Sequence, residues 1–204
     1  MSQVGPIVHA PEGMVDREFG NATAGKVGMW VYLVTDAMTF GGLLIAYAYL
    51  RAGGNWPDPA HHLGIELSSL ATFILICSSV SMVLAISASS AGNRGAFIRW
   101  MLVTILGGVS FLGIQAYEYT HLVNHGLGFA HFHEGNNLFG STFYAITGFH
   151  GLHVLSGVIY LTVILLKGLK GRYDRDSSHV EIAGLFWHFV DLIWILVFTF
   201  IYLL

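Results

Sequence analysis

The run Leu185, Phe186, Trp187, His188, Phe189, Val190, Asp191, Leu192, Ile193, Trp194 sets an imidazole, a carboxylate and two indoles into the most apolar part of the chain. It lies within residues 182–204, where Asp191 is the only formally charged side chain at neutral pH. Such a stretch is too long and too apolar for an ordinary core helix. Fifteen of its residues are Leu, Ile, Val or Phe. At roughly 0.3 to 0.6 kcal/mol each they favour insertion into a bilayer by about 5 to 9 kcal/mol, against a cost of about 3 kcal/mol for one central Asp. The segment is therefore predicted to span a membrane and to carry its acid with it. At helical spacing Trp187 and His188 precede Asp191 by four and three residues and Trp194 follows by three, so these groups share one face. That face must turn toward protein and away from lipid.

The rest of the chain has the same character. Its 204 residues are 54% hydrophobic and only 10% charged, with a mean hydropathy of +0.64, where a soluble domain carries roughly 25% charge. Apolar segments long enough to cross a bilayer are predicted at about 27–50, 68–91, 97–120, 138–166 and 180–204, joined by short polar stretches. No period of about 20 to 50 residues repeats and no linker separates two folded units. The expected fold is an all-α polytopic membrane bundle of five transmembrane helices in one domain, residues 26–204. Ahead of it, 1–25 reads as a short mobile tail, with Pro6, Pro11, Glu12, Asp16, Arg17 and Glu18 and without the apolar core of a cleaved signal. Five spans place Arg17, Lys26, Arg94, Arg99, Lys167, Lys170, Arg172 and Arg175 on one side and Arg51 on the other. Because cations are retained in the cytoplasm, this puts the N-terminus inside and the C-terminus outside.

The same inventory excludes several classes. Nine Lys and Arg against twelve acids leave no basic surface for nucleic acid. A single cysteine, Cys77, allows neither an intrachain disulfide nor a thiolate cluster. No HExxH, nucleophile elbow or phosphate-cradling glycine loop occurs, so no catalytic residue is assigned. The joint over 121–137 has no Lys or Arg but contains His121, His125, His131 and His133, so its charge can follow the external pH. Small residues at Ala37 and Gly41, Gly107 and Gly108, Ser141 and Ala145, and Thr147 and Gly151 mark faces where helices can approach closely.

Three acids lie in spans. Asp36 and Asp191 each sit about 15 Å along their helices, near the midplane, where an ionisable group is a functional candidate by default. Asp191, beside His188, reads as a structural polar clasp. Asp36 has hydroxyls but no cation among its helical neighbours Tyr32, Thr39 and Phe40, and both a clasp and a proton-exchanging role stay open for it. Glu118 shares a face with Gln115, His121 and His125 and reads as part of a solvated interfacial stripe. His150 and His153, three residues apart, look to one side of the fourth span. With His188 they give at most three deep imidazoles, short of a haem or copper ligand set, so hydrogen-bonded packing is preferred over metal binding.

Gly140, Ser141, Thr142 and Phe143, then Thr147, Gly148, Phe149, His150, Gly151, Leu152, His153 and Val154, then Trp187, His188, Phe189, Val190, Asp191 and Trp194 resemble subunit III of the haem-copper respiratory oxidases. Tyr117, Glu118, Tyr119, Thr35 and Asp36 extend the likeness over almost everything after the tail. The chain resembles the five-helix form of cytochrome c oxidase subunit III, which lacks the first two helices of the seven-helix form. The resemblance implies a non-catalytic subunit of a proton-pumping oxidase, with no metal of its own. Haem and copper would lie in partner subunits I and II, and phospholipid would be bound. It also implies a place in the inner (plasma) membrane of a bacterium and possible respiratory supercomplex partners.

In that family the acid matching Asp36 is implicated in proton uptake and in sustaining the oxidase through turnover. Many members have Glu there, one methylene longer. His150, His153, Trp187, His188, Asp191 and Glu118 are then expected to form a structural polar network. The alternatives are the same subunit of a quinol oxidase, a stand-alone histidine-ligated membrane metalloenzyme, and a proton-coupled transporter using Asp36 and Asp191. The last would require an inverted repeat, which is missing.

Overall fold

The computed structural model describes residues 15–16, 22–53, 56–57, 63–129, 137–171 and 177–204. Five long helices carry the fold: α1 Ala24–Ala52, α2 Ile65–Ser90, α3 Arg94–Asn124, α4 Asn137–Leu169 and α5 Ser178–Phe198. The last runs on through a π-helical turn over Thr199–Leu203. Each is long and apolar enough to cross a membrane, and the chain is a multi-pass membrane protein. The helices match the predicted spans to within about one turn at each end. Ahead of them Val15–Asp16 (β1) pairs antiparallel with Ala22–Thr23 (β2). Part of the expected tail is thus paired, residues 24–25 already belong to α1, and the remainder of 1–25 lies outside the described residues.

Left-handed glycines close three of the helices, the third being Gly171 (φ 73) after α4. Gly92 (φ 68) and Gly126 (φ 86) follow the last residues of α2 and α3. In both cases the next N–H reaches back five residues, Asn93 to the Ala88 carbonyl at 2.9 Å and Leu127 to the Leu122 carbonyl at 3.0 Å. This bond satisfies a carbonyl that the helix itself leaves unpaired. Leu122 and Leu127 are both buried, which supplies the apolar contact that accompanies such a cap.

α5 is the hub. It packs against α1, α2 and α4, while α3 fills the space between α2 and α4. More than half of the α5 apolar window is buried, against 17% for α1. Lys26 at the start of α1 pairs with Glu181 at the start of α5, and Arg51 at the end of α1 donates to the Leu204 carbonyl beyond the end of α5. The two helices therefore run parallel, as an odd number of traverses requires.

Close approach depends on absent side chains. Trp187, 1% exposed, fills the centre of the bundle. A Cβ on Gly108 would lie 2.5 Å from its ring and 2.7 Å from Val158, and one on Gly157 would lie 3.0 Å from the same ring. Gly107 meets Ser78 in the same way, at 2.7 Å, and Gly151 meets the Gln115 carboxamide at 2.7 Å. The pair Ala37 and Gly41 behaves differently: Gly41 has nothing within 4 Å and Ala37 is exposed. That small-residue face of α1 is not used within the chain.

Candidate functional site

Asp36 sits halfway along α1 on the side facing α4, and only 8% of it is exposed. His153 on α4 brings its Nε2 to 3.3 Å from Asp36 Oδ2, at an orientation short of a well-aligned hydrogen bond. The other ring nitrogen, Nδ1, lies 2.8 Å from the Phe149 carbonyl one turn earlier. A carbonyl only accepts, so Nδ1 carries a hydrogen. A neutral imidazole would then present a bare lone pair to Asp36, and an ionised carboxylate would meet it with another. The contact is favourable only when one more proton is held by the pair, on the ring as imidazolium or on the carboxyl as acid. Phe40 and Phe149 wall the dyad, with ring centroids 5.3 and 4.7 Å from that of His153. The partner that α1 could not supply to Asp36 comes from another helix.

His150 lies one turn from His153 and is wholly buried. Phe111 meets its ring edge-on at 5.8 Å, Trp194 lies over it at 4.9 Å, and Phe40 stands at 6.3 Å. Neither of its nitrogens has a hydrogen-bond partner among the described residues. It therefore sits in an aromatic box and takes no part in a shared polar chain. No three His, Cys, Asp or Glu side chains among the described residues converge on a metal-sized centre.

A second cluster joins α5 to α2. Trp187 donates its indole N–H to Ser78 at 3.1 Å, and Trp194 donates to Thr72 at 2.9 Å. Between them His188 Nδ1 lies 2.6 Å from the Ser79 hydroxyl. Asp191 is 8% exposed, and its Oδ1 has no hydrogen-bond partner among the described residues. His188 therefore meets a hydroxyl of α2 and not the carboxylate beside it on α5. The reason is geometric, since groups stacked on one helix point the same way and the neighbouring helix stands closer.

Glu118 forms a third cluster and requires a correction. It is not part of a solvated stripe but is 6% exposed. Its Oε1 accepts from Ser68 of α2 at 2.9 Å and its Oε2 from Tyr202 of the terminal turn at 3.1 Å. The stripe splits because α3 is packed on two sides at that level: Glu118 and Gln115 turn inward, whereas His121 and His125 face out. Gln115 donates to the Thr147 carbonyl at 2.9 Å. Beside Glu118 a cavity of about 300 Å³ is lined by Leu63, Gly64, Leu67, Tyr117, His121 and Leu122. His131 and His133 lie outside the described residues.

The six residues expected to make one polar network are therefore distributed over three separate clusters and an aromatic box. The missing partners are mainly hydroxyls: Ser68, Thr72, Ser78, Ser79 and Tyr202. Their signal was present in α2, a serine-rich helix in which Ser68, Thr72 and Ser79 recur at spacings that bring them to one side.

The sequence profile of the family described as cytochrome c oxidase subunit III matches residues 16–204. The chain is 38% identical over 182 residues to cytochrome c oxidase subunit 3 of Corynebacterium diphtheriae, covering 87% of this chain and 86% of that one. It is 37% identical over 180 residues to the probable cytochrome c oxidase subunit 3 of Mycobacterium tuberculosis, and 34% identical over 180 residues to that of Nocardia farcinica, with the same coverage. The profile match runs through all five helices. The chain belongs to the cytochrome c oxidase subunit III family.

Proposed function

We propose that this chain serves as a non-catalytic subunit of a cytochrome c oxidase in the inner membrane of a bacterium. In this reading it packs beside subunits I and II, which hold the haem and copper, and binds phospholipid. The observation that carries the reading is the family match over residues 16–204. It is supported by side chains that are spent on holding helices together: the indoles and imidazole of α5 on α2 hydroxyls, and Glu118 between Ser68 and Tyr202. The relatives are named for cytochrome c oxidase, which favours cytochrome c over quinol as the electron donor. The cation distribution supports an N-terminus inside and a C-terminus outside.

Within that assignment Asp36 and His153 are the proton-handling pair. Their contact needs one proton beyond the Nδ1 hydrogen, and a pair that holds one proton in either of two positions can accept and release it. The remaining polar clusters maintain helix register. The test is purification of the tagged chain from its native membrane. Haem and copper should arrive with it in partner subunits, whereas the chain separated from those partners should contain no stoichiometric iron or copper. Iron or copper held by the separated chain would overturn the non-catalytic reading in favour of a metalloenzyme using His150, His153 and His188.

A further inference from the structure

At the far end of α3 stands a histidine pair that the oxidase assignment does not use. His121 occupies the last turn of the helix and His125 caps it, and both are exposed. Side chains four residues apart on a helix are neighbours on one face. Here the two Nε2 atoms are 3.2 Å apart and the ring centroids 4.3 Å. The backbone beneath them is fixed by the Gly126 cap, with Leu127 bonded back to Leu122 at 3.0 Å. Tyr117 stacks on the His121 ring, centroids 6.3 Å apart at 28°. The pair is therefore a positioned arrangement and not two independent surface side chains.

At this separation one ring can donate its Nε2–H to the other, and an electron-poor species can equally take the place of that hydrogen between the two lone pairs. A metal ion would serve. Zinc–nitrogen bonds are about 2.0 to 2.1 Å, so a nitrogen separation of 3.2 Å subtends about 100° at the ion, between octahedral and tetrahedral angles. Helical histidines four apart are the spacing by which a helix presents two ligands to zinc. From this we infer that His121 and His125 form a two-imidazole chelate for a divalent ion of the zinc, nickel and copper class, with water in the remaining positions. The intervening Leu122, Val123 and Asn124 supply no carboxylate base, so the ion is structural or inhibitory and not hydrolytic. Glu118 is not a ligand, because Ser68 and Tyr202 already hold its two oxygens. The ion would stand at the rim of the cavity that His121 lines and would lock the last turn of α3.

The test counts zinc. The full chain, extracted with its partner subunits and washed with chelator, is equilibrated with Zn²⁺, alongside His121→Ala, His125→Ala and His179→Ala, the last at the opposite end of the bundle. Wild type and His179→Ala should each retain an additional zinc ion that both other variants lack. Affinity should fall by at least about tenfold in those two, since loss of a ligand costs no less than loss of its supporting partner. Equal zinc in wild type and both variants overturns the chelate, as does a loss confined to one of them. If a variant fails to assemble, wild type alone decides. Zn²⁺ must protect His121 and His125 from acylation by diethyl pyrocarbonate, read by peptide mass spectrometry. Rings that react equally with and without zinc share only a proton, and the inference fails.

Discussion

At the scale of single residues the chemistry concentrates in one contact, Asp36 Oδ2 to His153 Nε2 at 3.3 Å. Asparagine at position 36 keeps the shape of the acid and can donate an amide hydrogen to the bare nitrogen, so the contact survives without an exchangeable proton. Asp36→Asn should therefore assemble normally. It should also slow turnover at alkaline pH, where bulk protons are scarce, or shorten the active lifetime of the oxidase. Turnover and proton uptake measured on the purified complex across pH decide this, and unchanged values at every pH would make Asp36 a packing residue. Trp187 presents the opposite case, a residue whose role is volume. Gly108→Ala would force a methyl to 2.5 Å from its ring and should destabilise the protein by about 1 to 3 kcal/mol, the usual cost of overpacking. Gly113→Ala has nothing within 4 Å, so it should be neutral or stabilising by up to about 1 kcal/mol through helix propensity. Thermal unfolding midpoints in detergent compare the two.

At the scale of elements, α5 is held to α2 and α3 by bonds of different worth. The Trp194 to Thr72 bond joins two neutral groups in a membrane interior, where such bonds average about 0.6 kcal/mol. Trp194→Phe should therefore shift the unfolding midpoint only slightly. Tyr202 donates to a buried carboxylate. Its removal in Tyr202→Phe leaves Glu118 Oε2 unpaired and should cost about 1 to 3 kcal/mol, the penalty of an unsatisfied buried group. Glu118→Gln removes the charge while keeping an oxygen that accepts and an amide that donates, so it should be tolerated better than Tyr202→Phe. The reverse order would mean that the charge itself is needed. The helices were legible in the sequence to within about a turn because hydropathy over about 20 residues is a local property. Their mutual seams were not. Glu118 read as solvated because the residues flanking it are polar, and nothing in α3 alone reveals Ser68 and Tyr202 on its two sides.

At the scale of the molecule, Lys26 with Glu181 and Arg51 with the Leu204 carbonyl clamp the two ends of α1 to the two ends of α5. α1 itself leaves most of its surface uncovered, with Trp30, Val34, Met38, Ile45 and Tyr49 exposed. Such a surface suits lipid or a neighbouring subunit, and the Asp36 dyad lies just beneath it. Lys26→Ala should loosen the α1 end nearest Glu181 while leaving haem content unchanged. Limited proteolysis within 22–53, compared with wild type, would detect this, and identical digestion would mean that apolar packing alone holds α1.

The sequence by itself determined the class of the protein, the number of spans, the burial of the α5 polar face and, through motifs in three helices, the family. Each of these rests on side-chain chemistry that acts locally along one helix: transfer into hydrocarbon, helical periodicity, and residue identity at fixed spacing. Only the tertiary structure decided the partners. It gave His153 to Asp36, Ser79 to His188, Ser68 and Tyr202 to Glu118, and an aromatic box to His150. The physical reason is that a polar group in a membrane takes its partner from whichever helix stands opposite. Which helix stands opposite follows from the packing of small residues such as Gly108 and Gly157 around Trp187. The opening motif, read as a structural polar clasp, meets α2 in the folded protein through Trp187 to Ser78, His188 to Ser79 and Trp194 to Thr72.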